Sequence, residues 1–571
     1  MRRTLTTATP WLSAAALGML LTARPGANTP IFYPDDPLPR IVDSQDASGV
    51  QLRRIDLVYD TLENLFHRPG DATLDVRAQN VNTIDEVPDS NWFTNRLGVT
   101  PISVDDVVKG PGSGVGPSPD GWTVLAAKSD GVMPGFTIRD AAGDVWFLKF
   151  DPPGHPAMAT GTEAVVARLF WALGYNVPDT HVATLRPDAL AIDGAARITP
   201  PSGRQRAFAR ADIERLLRRA HRNADGTYRV LASRALPGRP IGPFRFYGLR
   251  PDDPNDVVPH EHRRELRGYG TFAAWVNHVD SKSINTMDTV IEQDGRQVIR
   301  HHLLDFGSTI GSAGVYPREP FEGTEYLVEG RQTLAGVLSF GFYVKDWRTA
   351  PLYRAPSVGA FPIDTRSWDP ERWKARYPNS AFRAARLDDK FWAARRLDAV
   401  SDEMLDAAVR AGRFGDPRSE QVLAGFLMGR RNAIVRRYLP AVNPVVDLHL
   451  DPSGTLTFRN AAVDADVASA PPGYVIDWSR FDNATGATAP LGTTRTAGLS
   501  VDAPPGLPTA DGTYVALEIA AADGPAAWAR PVRAFFRRES AAWRMVGFER
   551  LPGGNPPAAA RALGLDARRI D

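Results

Sequence analysis

The 571-residue chain contains no cysteine. That removes disulfides, thiolate metal sites, a cysteine nucleophile and a lipid-modified N-terminal cysteine together. Lysine is almost as scarce: of 67 basic residues only seven are lysines, at 109, 128, 149, 282, 345, 374 and 390. A lysine kept against so strong an arginine bias marks a position that needs a compact ammonium rather than a planar guanidinium. The chain also lacks a G-x-S-x-G elbow, an H-E-x-x-H pair and a Walker phosphate loop, so the common hydrolase, zinc-protease and P-loop chemistries have no anchor. The close histidine pairs do not replace them. His260 and His262 fall beside a helix start, and the adjacent His301 and His302 point to opposite faces of a strand. No charge of one sign dominates, since the net charge is +1, which argues against a nucleic-acid-binding surface.

Long apolar runs are missing as well. The one run worth reading, Trp11 to Leu21, follows Arg2-Arg3 and precedes the small residues Ala23, Gly26 and Ala27. Residues 1–27 therefore read as a secretory signal peptide, with an uncleaved N-terminal anchor as the alternative. The expectation is an exported protein, periplasmic or secreted, with no other membrane span.

Residues 28–120 read as an N-terminal extension and linker rich in proline, aspartate and glycine. One helix is expected from Gln51 to Phe66, with an apolar face of Leu52, Ile55, Leu57, Val58, Leu62 and Leu65. VPDSNWFTNR (87–96) has local-turn character, and GPGSGVGPSPD (110–120) is a linker by composition. From residue 121 the pattern becomes three short strands, Trp122 to Ala127, Phe136 to Arg139 and Val145 to Phe150, separated by SDGVMPG and DAAGD. In the third strand, Trp146, Leu148 and Phe150 share one face, while Lys149 lies opposite with Val145 and Phe147. A helix from Thr160 to Leu173 follows, ended by Gly174. Glu163 in its first turn has two readings, because Thr160-x-x-Glu163 is also a capping box. Residues 183–226 read as an insertion whose arginine-rich helix, Ala209 to His221, presents a solvated face. A strand from Tyr228 to Arg234 and a helix from Glu261 to Asn277 lead to the segment that carries the chemistry.

That segment is HVDSKSIN, then a strand–Asp-Gly–strand hairpin (Thr289 to Ile299), then HHLLDFGSTIG. His278, Asp280 and Asn285 have the spacing H-x-D-x-x-x-x-N, and Asp305-Phe306-Gly307 follows the hairpin. One carboxylate so placed can take a proton from an attacking hydroxyl, and an amide oxygen with a second carboxylate can hold a divalent metal against phosphates. With Lys149 upstream, residues 121–440 resemble the protein-kinase-like superfamily, in the manner of divergent members such as the HipA-type and spore-coat CotH kinases. The resemblance implies an α+β, two-lobed kinase-like fold that uses ATP with Mg²⁺ or Mn²⁺. It makes Asp280 the catalytic base, with Lys282 facing the transferred phosphate, and makes Asn285 and Asp305 the metal ligands. Lys149 with Glu163 would clamp the nucleotide, and Gly131 and Gly135 are the candidates for its phosphate loop.

The sequence also departs from the family. G-x-G-x-x-G is absent, Val279 replaces the arginine of H-R-D, and no Ala-Pro-Glu follows; Ala355-Pro356-Ser357 is the nearest fragment. The phosphate acceptor, protein or small molecule, is not written in the residues. Two alternatives stay open: a catalytically inactive kinase-fold scaffold of the cell envelope, and nucleotidyl transfer on the same fold.

Residues 386–438 read as helices, and Pro440 to Pro444 as a boundary. Residues 445–571 then read as an appended all-β, sandwich-like domain with six strands between turns. They carry no cluster that suggests chemistry.

Overall fold

Alternation in VWFLKF builds the first sheet. The computed structural model describes residues 30–67, 69, 74–127, 133–198, 203–326, 338 and 351–552. The expected signal peptide, Lys128 and Gly131 therefore lie outside the described residues. Strands β1 (Thr123–Ala127), β2 (Gly135–Arg139), β3 (Val145–Phe150), β4 (Thr180–Leu185), β5 (Ala191–Ile198), β6 (Arg206–Ala207) and β7 (Tyr228–Arg234) form one seven-stranded sheet. Their order is β4-β7-β3-β2-β1-β5-β6. Trp146, Leu148 and Phe150 are buried in an apolar cluster with Val124, Phe136, Ile138 and Val230, which leaves Lys149 on the other face.

The region expected to be an insertion is part of this sheet. β5 runs parallel to β1, and β4 pairs with β7 along its whole length. The first five helices in chain order are α1 (Leu57–Phe66), α2 (Val104–Lys109), α3 (Met158–Leu173), α4 (Arg210–Leu217) and α5 (Arg264–Trp275). In α4 the expected solvated face is only half of the helix. Ile213, Leu216 and Leu217 cover the sheet, while Arg206 and Arg215 converge on Asp212 at 2.6 and 2.7 Å.

Helix α1 also differs from expectation. It starts at Leu57, because the Asp56 side chain caps it by accepting from the Tyr59 amide. It is turned inside out: Asp60 and Asn64 are buried, whereas Val58 and Phe66 are 68% and 73% exposed. Buried polar partners on other segments of the chain, described below, decide that orientation.

After β7 the short strand β8 (Arg239–Pro240) pairs with β9 (Thr286–Gln293), which forms a hairpin with β10 (Arg296–Leu303); α5 lies between β8 and β9 in the chain. Asp294 and Gly295 turn the hairpin with φ of 51° and 74°, the left-handed pair that an Asp-Gly type I′ turn supplies. Behind it, α5 and the helices Leu387–Asp398, Asp402–Ala411 and Pro417–Tyr438 pack together. α5 begins at Arg264 rather than Glu261, because His260–His262 form a separate 3₁₀ turn.

The C-terminal strands form a three-stranded and a five-stranded sheet. One of them, Thr488–Thr496, lacks apolar alternation and shows no strand signal in the sequence. The apolar core does not stop at residue 440: Phe391, Leu397 and Leu439 belong to the same cluster as Val445, Trp478, Leu517 and Phe548. The start of the described chain joins the far end too. Phe32 is buried with Ala516, Phe535 and Val546, and its backbone exchanges two 2.8 Å hydrogen bonds with the side chain of Asn483. Among the described residues, no helix is long and apolar enough to cross a membrane.

Candidate active site

Lys149 is the pivot of the site. Its Nζ donates to Glu163 Oε1 and Oε2 at 2.7 and 2.9 Å, and to Asp305 Oδ1 at 2.8 Å. Burial alone would lower the lysine's pKa, but the carboxylates of Asp305 and Glu163 override it and hold the pKa above its usual value. Lys149 stays a cation, with a third of its side chain open to solvent.

Glu163 is not needed at the start of α3, because another residue serves it. The Asp151 carboxylate accepts from the amides of Ala157, Ala159 and Thr160, each at 2.9 Å, and from Thr160 Oγ1 at 2.7 Å. The capping-box reading of Glu163 is therefore incorrect. Asp151 satisfies the orphan N–H groups of the first turn, and Glu163 points to the sheet. Sequence reasoning passed over Asp151, although an aspartate between a strand and a helix start is a recognisable signal. Gly307 completes the fit, since a Cβ there would come within 3.1 Å of Glu163 Oε2.

The far end of α3 is held by the stretch VPDSNWFTNR. Thr94 N donates to Gly174 O at 2.9 Å and Leu97 N to Ala172 O at 3.2 Å. Gly174 sits at φ 120°, and any Cβ there would collide with the Phe93 ring and the Thr94 carbonyl. Trp92 stacks on His301 at 3.4 Å between centroids, and His301 Nδ1 meets Asp288 Oδ1 at 2.7 Å. The stretch for which the sequence offers no chemistry is thus a strap across the Glu163 helix and the hairpin.

The loop from His278 to Asn285 lies beside Asp305. Leu304 N donates to Asn285 O at 2.9 Å, so the residue preceding Asp305 is tied to Asn285. Asn285 Nδ2 donates to Asp280 O at 2.9 Å and to Asp280 Oδ2 at 3.2 Å. Lys282 Nζ meets Asp280 Oδ1 at 2.8 Å and lies 5.3 Å from the centre of the Tyr377 ring. Asp305 has φ of 61°, a left-handed conformation that costs energy for a non-glycine residue and recurs where a site dictates the backbone.

An aromatic stack supports the turn from below. Phe306 lies 5.0 Å from Phe170 of α3 and 5.5 Å from the His278 ring. Burial pushes His278 down to about 3, against the opposing pull of Asp305; it is a neutral packing group, with the Tyr269 hydroxyl 2.8 Å from Nδ1. Val279 is buried, and Arg376 N donates to its carbonyl at 2.7 Å.

The structure thus brings Lys149, Glu163 and Asp305 into direct contact, and places Asp280, Lys282 and Asn285 on the adjoining loop. Gly135 opens β2 and pairs with Lys149, so it belongs to the strand rather than to a loop. Gly131 is outside the described residues. No cluster of three or more histidine and carboxylate side chains with metal-binding geometry occurs among the described residues.

No family model and no curated protein matches the chain. A crystal structure of the Golgi casein kinase with Mn/ADP bound aligns at 10% identity over 70% of this chain and 94% of that chain, with a TM-score of 0.28. So loose an overlap carries no argument, and the chemistry rests on the geometry above.

Proposed function

We propose that the chain is a divergent kinase-like phosphotransferase that uses ATP with Mg²⁺ or Mn²⁺. One observation carries the reading: a lysine on the third strand bonds both a helix glutamate and the aspartate of Asp-Phe-Gly, next to the loop that carries Asp280 and Asn285. An ammonium so held can orient phosphates without losing its charge.

The donor set fits a hard divalent cation. Asn285 spends its Nδ2 on Asp280, so its carbonyl oxygen is the atom that would join the Asp305 carboxylate at an ion. One carboxylate and one amide oxygen suit an ion that completes its shell with phosphate oxygens and water. When bound, that ion neutralises the phosphates' charge. Asp280 accepts the proton of the acceptor hydroxyl, and Lys282 holds the Asp280 carboxylate in place. His278 and Phe306 keep the loop and the Asp-Phe-Gly turn packed on α3.

The acceptor is a protein or a small molecule. The leader-like residues 1–27 support action after export, and the C-terminal sheets serve packing or binding. The test is transfer of labelled phosphate from ATP to the protein itself or to an envelope extract, with Mg²⁺ and Mn²⁺ tried separately. Asp305→Asn should weaken metal-dependent nucleotide binding. Asp280→Asn should leave binding nearly intact and slow transfer by roughly 10²–10⁴-fold. Equal labelling by wild type and Asp280→Asn would end the catalytic assignment in favour of a scaffold. Label retained from the α- rather than the γ-phosphate would replace phosphoryl by nucleotidyl transfer.

A further inference from the structure

A cavity of about 430 Å³ lies behind the link that leaves β7, walled by Leu236 and Pro237 on one side and by Trp171 of α3 on another. None of Lys149, Glu163, Asp280, Asn285 or Asp305 lines it, so it is separate from the site above. Three arginines do line it: Arg96, Arg234 and Arg300.

Their partners decide what the cavity can hold. Arg234 is matched, since its Nη2 meets Asp144 Oδ1 at 2.7 Å. Arg96 gives Nη1 to the Trp171 carbonyl at 2.7 Å and lies over the Trp171 ring; it makes no direct ion pair among the described residues, and Asp89 acts on it only from a distance. Arg300 has neither a hydrogen bond from its guanidinium nor an ion pair among the described residues, and Arg40 adds like charge nearby. Arg250 and Arg264, by contrast, meet Asp288 at 3.1 Å and Asp389 at 2.9 Å, while the buried Arg430 and Arg550 give their guanidiniums to backbone carbonyls; Arg300 has neither kind of partner among the described residues. Burial lowers the pKa of Arg300, with Arg40 adding to the effect, and lowers that of Arg96 to about 10 against the opposing pull of Asp89. The one lining carboxylate, Asp179, faces His181 Nε2 at 2.8 Å.

We propose that this cavity binds a small phosphate monoester. Arg300 and Arg96, neither in a direct ion pair among the described residues, supply positive charge for the ester and the planar donor forks that suit phosphate oxygens. Asp179 offers an acceptor for a hydroxyl of the ligand, and Trp171 offers an apolar wall. The volume is that of a small-molecule site rather than of a bare ion. The proposal goes beyond the phosphotransfer reading and does not depend on it.

The test is calorimetric titration of the full chain, without divalent metal, using glucose 6-phosphate, glycerol 3-phosphate and inorganic phosphate as probes. At least one ester should bind more tightly than inorganic phosphate. Arg300→Gln should weaken it by about tenfold or more, the effect of one lost charged hydrogen bond. Arg300→Lys, which keeps the charge, should lose less, and Asp305→Asn should bind the ester as wild type does. Melting curves establish that the variants are folded. No ester binding in the wild type, or equal binding by wild type and folded Arg300→Gln, overturns the site. Inorganic phosphate binding as tightly as the esters overturns the ligand class. Loss of binding in Asp305→Asn would place the ester in the Lys149 cleft instead.

Discussion

Ser283 Oγ donates a 2.8 Å hydrogen bond to Asp60 Oδ2, which ties the Asp280–Asn285 loop to a helix of the N-terminal extension. Asp60 is 4% exposed, and burial raises its pKa while Ser283 and Arg245 pull it down. Asn64, one turn further on, accepts from Ser380 Oγ at 2.5 Å. These polar contacts explain why α1 faces inward with its polar side.

Asp60→Ala should cost about 1–3 kcal/mol of stability, the penalty for leaving a buried hydroxyl unpaired. It should also lower kcat for nucleotide turnover more than it raises KM, because the loop loses its tether while the nucleotide contacts remain. Denaturant titration and steady-state kinetics measure the two effects. A loss of stability with unchanged kcat would make Asp60 a packing residue only.

Lys149→Arg tests whether the retained lysine is needed as a lysine. The planar fork cannot take the place of a compact ammonium that reaches both Glu163 and Asp305. Turnover should fall by at least about tenfold, with the melting temperature nearly unchanged because a cation still faces both carboxylates. Activity equal to wild type would remove the argument from lysine scarcity.

Much of this site was legible in the sequence. Lys149 could be placed because Trp146, Leu148 and Phe150 alternate with it across a strand with one buried face. The hairpin could be placed because Asp294-Gly295 allows only a tight turn. What escaped was decided by partners remote in sequence. Asp60 lies inside because Ser283 and Arg245 are there to meet it, and an apolar-face reading of α1 points the opposite way. The segment 183–226 joins the sheet through a parallel pairing of β5 with β1, a non-local contact that no local pattern announces. Arg300 looks like any other arginine until its lack of a partner is seen in space.

Acid should destabilise the fold through its buried histidines. Burial pushes His302 down to about 4 in the native state, against about 6.5 for an ordinary histidine. Between those values the unfolded chain binds the proton and the native chain does not. The contribution is therefore complete above pH 6.5 and is lost as the pH falls toward 4, by about 3 kcal/mol at most. Urea midpoints measured from pH 7.5 to 4 should decline, and His302→Gln should flatten that decline. An unchanged slope in the variant would show that His302 is not the group titrating.

Removing the C-terminal sheets should not leave a clean fragment. Arg550 lies 4.0 Å from the centre of the Phe391 ring and donates to the carbonyls of Asn443 and Val445 at 2.5 and 3.1 Å. A chain ending at residue 444 would uncover the apolar flank of helix Leu387–Asp398. The expected outcome is aggregation or dye-binding exposed surface. A soluble fragment with a cooperative melt matching the full chain would refute it.

Phe32 has a consequence for how the molecule is made. The ring is covered by Phe535 and Val546, and its backbone is held by Asn483, so its partners are synthesised near the very end. Translation delivers the lock long after the key. While the polypeptide grows, the segment around Phe32 has nothing to close on. Nascent chains arrested before residue 530 should remain open to protease at that segment, and full-length chains should not.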